Sequence, residues 1–182
     1  MAYTITLDAG HGGFDNGASY NYRLEKDDNL ALTFSIGSIL QSYGFNVHYT
    51  RTEDVYDSPF QKATKANENG SDLFFSIHRN SSAIPNLYNG VETLVYTNRG
   101  LPSLIAENIN AQLERLGYKN LGISERPNLI VLNSTNMPAV LVEVGFINSD
   151  TDNLLFDNLF YETAYAIADG IAMTLYPQNY SM

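Results

Sequence analysis

The chain has 182 residues, 44% of them hydrophobic and 16% charged, with a formal net charge of -10. That length and composition fit one globular domain with a sizeable core, and the acidic surplus argues against electrostatic capture of nucleic acid or an anionic membrane. The absence of cysteine excludes a thiol nucleophile, a disulfide framework and any cysteine-ligated zinc.

Met1–Leu7 has no basic segment or long apolar stretch and reads directly into a strand, so no signal peptide is expected here. No apolar run approaches the roughly eighteen residues of a membrane span. A role outside the cell would then require a trimmed chain or another route of export.

Thr4–Leu7 reads as the first strand, followed by the glycine-rich segment Asp8-Ala9-Gly10-His11-Gly12-Gly13. Glu25 opens a helix whose Leu32, Ile36, Ile39, Leu40 and Tyr43 follow three-four spacing, and Gly44 stops it. Phe45–Tyr49 is a second strand, with His48 as an ordinary residue on its polar face. Ser58 and Pro59 start a helix reaching about Asn67. Leu73–Ile77 is the third strand and Gly90–Tyr96 the fourth.

Pro102 leads into an amphipathic helix marked by Ile105, Ile109, Leu113 and Leu116, and Leu129–Leu132 reads as a short fifth strand. Ala139–Val142 is the continuous apolar run of a strand covered on both faces. A last helix aligns Phe160, Ala164, Ile167, Ile171 and Leu175. This alternation predicts an α/β three-layer sandwich, a mostly parallel, mixed sheet of about five or six strands with helices on both faces. Residues 1–176 form the one domain, and 177–182 a tail that could begin a linker.

Two of the three histidines, His11 and His78, sit at the ends of apolar strands. In an open α/β sheet ligands gather beyond the carboxyl ends of the strands, and neutral imidazole is a common zinc ligand. Glu25 begins the helix after the first loop, which returns to the same edge. Glu143 interrupts the apolar run Ala139–Val144, where an ionised carboxylate without a partner is costly. Four residues capable of zinc chemistry thus converge on one crevice. Two histidines and one carboxylate would leave a fourth zinc position for water. Asp8 is a candidate to orient a ligand imidazole, and Asn80 a candidate substrate contact. The segments Ser81–Asn89 and Gly122–Asn128 are expected to flank the groove.

At these residues the chain resembles the zinc-dependent N-acetylmuramoyl-L-alanine amidases of the Amidase_3 family, found in bacterial autolysins and phage endolysins. The matching motifs are Leu7-Asp8-Ala9-Gly10-His11-Gly12-Gly13 with Asp15 and Gly17, and Glu25 with Asn29 and Leu30. Tyr49-Thr50-Arg51-Thr52 with Asp54, Ala66-Asn67 with Asp72–His78, and Asn136–Phe146 complete them in order. The resemblance implies that His11, Glu25 and His78 bind Zn2+ and that Glu143 is the catalytic acid/base. The implied substrate is the amide between N-acetylmuramic acid and L-alanine of the peptidoglycan stem peptide. Action at the cell wall is implied as well, with room for a separate cell-wall-binding domain.

Two positions depart from the family pattern. Arg79 stands where a small residue is usual and is expected to affect how substrate is held. Lys62 replaces an arginine and is expected to touch neither metal nor catalytic positions. Two other readings stay open. A zinc carboxypeptidase would also use two histidines and a glutamate, although the residue three after His11 is Phe14 rather than glutamate. A non-catalytic wall-binding module on the same fold is the other.

Overall fold

The computed structural model describes residues 2–179. In chain order its elements are β1 (Thr4–Ala9), the small hairpin of β2 (Ser19–Tyr20) and β3 (Arg23–Leu24), α1 (Glu25–Ser42), β4 (Asn46–Tyr49), α2 (Pro59–Glu68), β5 (Leu73–Asn80) and β6 (Val91–Val95). There follow α3 (Gly100–Arg115), β7 (Asn120–Glu125), α4 (Ile130–Asn133), β8 (Ala139–Phe146), α5 (Asp150–Asn158) and α6 (Phe160–Leu175). Six strands form one sheet in the order β4-β1-β5-β8-β6-β7. β4, β1, β5 and β8 run parallel to one another, and β6 is antiparallel to β8 and parallel to β7. The sheet is therefore mixed and mostly parallel, with helices on both faces.

The two-residue period of the central strands decides what each face holds. Ile5, Leu7, Leu73, Phe75, Ile77, Val140, Val142 and Val144 join the large core beneath α1, α3 and α6. The alternate residues turn to the opposite face, where Phe74, Leu94 and Leu141 meet Ala66 of α2 and Val131 and Leu132 of α4 in a smaller core. Asp8, Ser76, His78 and Glu143 share this second face by the same alternation. Slipping β5 by one residue would drive Leu73, Phe75 and Ile77 out of the large core, at about 1.5–3 kcal/mol for each. Apolar packing on one face thus fixes the polar residues on the other.

Local signals behave as the sequence suggests at several element ends. Ser58 Oγ accepts the Gln61 backbone N–H while Gln61 Oε1 accepts that of Ser58, a capping box with Pro59 at the first helical position. Gly44, at φ 90°, ends α1.

One element is corrected. Leu129–Leu132 is not a strand: Ile130–Asn133 forms one helical turn, which places Val131 and Leu132 together against the sheet. The sheet instead takes β7 from Asn120–Glu125, a stretch too polar to announce itself, on the outer edge beyond β6. The helix α5 and the hairpin β2–β3 carried no clear periodic signal. Of the expected tail, Pro177–Asn179 makes a short 3-10 turn, and residues 180–182 lie outside the described residues.

Candidate metal centre and its cleft

The end of β1 is held in a conformation that few residues adopt. His11 has φ 60°, in the left-handed region, which for a residue with a Cβ costs about 1–3 kcal/mol unless its surroundings enforce it. Here cations grip the loop carbonyls. Arg51 donates from Nε to Ala9 O at 3.1 Å and from Nη2 to Gly10 O at 3.1 Å. Lys62 Nζ reaches Ala9 O at 2.8 Å, and Lys26 Nζ reaches Gly13 O at 2.8 Å.

His11 Nδ1 donates to Asp15 Oδ2 at 2.8 Å, which turns Nε2 toward Glu25 Oε1 at 3.2 Å. His78 Nδ1 lies 2.9 Å from the same Oε1. Donor atoms of His11, Glu25 and His78 all fall within 4.8 Å of one another. The two imidazoles meet edge to face, with centroids 4.9 Å apart. Glu25 is the first residue of α1, where the helix dipole favours an anion. Its Oε2 accepts the Ala18 N–H at 2.8 Å and its Oε1 the Arg79 N–H at 3.1 Å.

Burial opposes charge on Glu25, but the bonds to His11 and His78 hold its carboxyl well below the usual carboxylate range. Burial likewise opposes charge on His11, yet hydrogen bonds with Glu25 and Asp15 raise it to about 9. A cation in this position would stand in for those protons. The glycines leave the cluster no slack: a Cβ on Gly10 would run into the His78 ring, and one on Gly17 would strike Glu25 and His11.

Glu143 occupies the neighbouring strand, in register with His78. Its Oε2 is buried with no hydrogen-bond partner among the described residues. Burial raises its carboxyl to about 7; the His78 charge opposes this, and those of Glu25 and Glu92 add to it. These groups open onto a cleft of about 360 Å³, lined by Asp8, His11, Asp15, His78 and Glu143 on the strand-end side. Leu94, Leu129, Val131, Leu141 and Arg126 form one wall, and Tyr56, Asp57, Pro59 and Lys62 another.

The structure thus brings His11, Glu25, His78 and Glu143 together, as expected. Other expectations change. Asp8 touches no imidazole: its Oδ1 is 2.8 Å from Lys62 Nζ and accepts from Thr50, and its Oδ2 accepts from Ser76. Asp15 is the carboxylate that orients His11, and its place four residues on, within the first motif, was the available signal. Arg79 does not face substrate, because its side chain is completely buried. It pairs with Asp28 at 2.7 Å and donates to the Val144 carbonyl behind the metal cluster.

Asn80 is not on the cleft lining, and its Oδ1 accepts the adjacent Ser81 N–H. The Ser81–Asn89 loop also stays off the lining and bonds with Asn148. Lys62 lines the cleft, and its partners are Asp8 and the Ala9 carbonyl rather than any metal or catalytic position. Of the segment Gly122–Asn128 only Arg126 reaches the cleft.

Residues 5–173 match a family profile described as N-acetylmuramoyl-L-alanine amidase. The chain is 36% identical over 185 residues to the endolysin of Bacillus phage SPP1, covering 96% of this chain and 67% of that protein. It is 34% identical over 173 residues to the probable cell wall amidase LytH of Staphylococcus aureus, covering 92% of this chain and 57% of LytH. Among solved structures, the catalytic domain of the CwlV amidase from Bacillus (Paenibacillus) polymyxa var. colistinus superimposes with a TM-score of 0.85 at 34% identity. That match covers 95% of this chain and 98% of the other.

Proposed function

This chain belongs to the N-acetylmuramoyl-L-alanine amidase family, and on that premise we propose that it hydrolyses the muramoyl–L-alanine amide of peptidoglycan with zinc held by His11, Glu25 and His78. The donor chemistry supports the reading, since two imidazoles and a carboxylate suit zinc better than the oxygen-loving magnesium or calcium. When bound, such an ion supplies the Lewis acidity that polarises the scissile carbonyl and acidifies water.

Glu143 supplies the proton traffic. Its raised carboxyl takes a proton from water as the general base and returns it to the leaving amine as the general acid. The observation that carries this assignment is the buried Oε2 left without a hydrogen-bond partner among the described residues, beside the two histidines, a group that would otherwise be a penalty. Leu94, Leu129, Val131 and Leu141 keep that side of the cleft dry, which strengthens charge interactions within it.

The polymer it acts on lies outside the cytoplasm, so we place this domain at the cell wall. No helix among the described residues is long and apolar enough to cross a membrane. LytH is considerably longer than this chain, and a separate wall-binding module would be the natural way to hold an acidic catalytic domain on its polymer.

The deciding experiment is mass analysis of products from defined muropeptides. Free L-alanine amino termini should appear, vanish with a chelator and return with added zinc. Release of D-alanine or of reducing sugar ends would refute the amidase reading. Cleavage indifferent to the chelator would refute the metal.

A further inference from the structure

Phe14 and Tyr56 stack on each other at the rim of the cleft, with ring centroids 4.2 Å apart and planes inclined by 33°. Phe14 is 81% exposed and Tyr56 40%. Tyr56 lines the cleft, whereas Phe14 lies just outside it, between His11 and Asp15 in sequence. Apolar rings set in water at the mouth of a site mark a binding surface.

The pair is built rather than incidental. The Gly13 N–H donates to Asp54 Oδ1 at 2.8 Å, and Lys26 Nζ ties Gly13 O to Asp54 Oδ2. A Cβ on Gly13 would sit 2.8 Å from the Tyr56 backbone nitrogen. Two clamped loops therefore present one rigid aromatic ledge.

Charge decides which part of the substrate fits there. The carboxylates beside the ledge are each already paired, Asp15 with His11, Asp54 with Lys26 and Asp57 with Lys65, so they offer a stem-peptide carboxylate no attraction while their oxygens can still accept hydrogen bonds from sugar hydroxyls. The opposite wall carries Arg126, whose side chain is half exposed and whose nearest carboxylate, Glu92, is 3.9 Å away. Resting on the amidase reading above, we propose that the Phe14–Tyr56 ledge is a subsite for the glycan strand. It stacks the C–H face of a pyranose, while the peptide runs toward Arg126. The cleft thereby reads the direction of its substrate.

The test compares zinc-supplemented wild type with Phe14→Ala on two substrates carrying the same peptide, one on a single muramoyl sugar and one on a tetrasaccharide. Phe14→Ala should raise KM for the tetrasaccharide about tenfold with little change in kcat, and the loss on the single sugar should be about fivefold smaller. Phe14→Trp should restore the preference. Equal losses on both substrates, or losses that follow peptide length, would overturn the proposal. So would a self-association that Phe14→Ala abolishes, since the ledge would then serve a second copy.

If wild type cleaves neither substrate, the amidase reading fails separately and direct binding decides the ledge. Calorimetric binding of peptide-free N-acetylated oligosaccharide that Phe14→Ala removes would sustain it. No binding, or binding indifferent to Phe14, would end it.

Discussion

The first turn of α1 and the middle of β8 each bury a glutamate beside the same two histidines, yet the carboxylates end in opposite states. Glu25 receives both imidazoles and the Ala18 and Arg79 backbone N–H groups, and it is held deprotonated. Glu143 receives no hydrogen bond at Oε2 from the described residues, and burial raises it to about 7. Burial alone pushes both the same way; the hydrogen-bond inventory separates them. A carboxylate saturated with donors is a fixed anion fit to hold a cation. One left bare exchanges protons.

Exchanging each for its amide breaks that comparison most directly. Glu143→Gln should retain stoichiometric zinc and lose about 10²–10⁴ in kcat, whereas Glu25→Gln should lose the metal itself. Metal content after dialysis distinguishes the two, and a Glu25→Gln protein that still holds its ion would erase the distinction. Because Glu143 acts deprotonated as the base, kcat/KM should fall as pH drops through its acidic limb. That limb belongs between the ordinary 4.5 and about 7, lowered from the upper figure by a bound cation.

How much of this was legible in the sequence follows from which signals are local. His11 and His78 stood out because each ends an apolar strand and Glu143 because it interrupts one; strand register brings His78 and Glu143 to one face, and the left-handed turn after β1 brings His11 to them. Glu25 showed itself by opening a helix. Arg79 was misjudged, since whether a long cation points into a cleft or under it depends on partners distant in sequence. Arg79 finds Asp28 fifty-one residues away, and Lys62 of α2 finds Asp8 of β1. β7 was missed for a related reason: a polar edge strand is defined by the neighbour it pairs with rather than by its own pattern.

The Asp8–Lys62 pair sharpens the comparison one layer down. Asp8 is fully buried and, like Glu25, saturated: Lys62, Thr50 and Ser76 all serve it. Burial raises its carboxyl, but the Lys62 charge together with the hydrogen bonds from Lys62 and Ser76 leaves it lowered. Lys62→Met strands a buried anion and should destabilise by about 3–5 kcal/mol in urea melts at neutral pH. Asp8→Asn in the same chain should recover much of that loss. A carboxyl lowered on folding adds stability that is complete above its unfolded value of about 3.9 and disappears as pH falls through the folded one. The wild-type advantage over the double variant should therefore shrink only in strong acid. A difference that stays constant through that acid range would show that Asp8 is not the charge Lys62 serves.

The smallest effect belongs to Asp15, a carboxylate between the two extremes. It accepts from His11 Nδ1 and the Gly17 N–H, but its side chain is 39% exposed, so water can replace part of what it does. Its work is orientation: by holding Nδ1 it turns Nε2 toward Glu25, and a ligand imidazole left free to rotate binds metal less well. Asp15→Ala should weaken zinc affinity about 10–100-fold, the usual range for groups that orient metal ligands, measured by competition with a chromophoric chelator. Asp15→Asn keeps an oxygen that can accept from Nδ1 but gives up the charge, so its loss should be smaller. Stability should barely move, since an exposed imidazole–carboxylate pair contributes little to folding. Unchanged zinc affinity in Asp15→Ala would mean the grip of Arg51 and Lys62 on the loop carbonyls suffices to aim His11, and that the left-handed backbone is the orienting device.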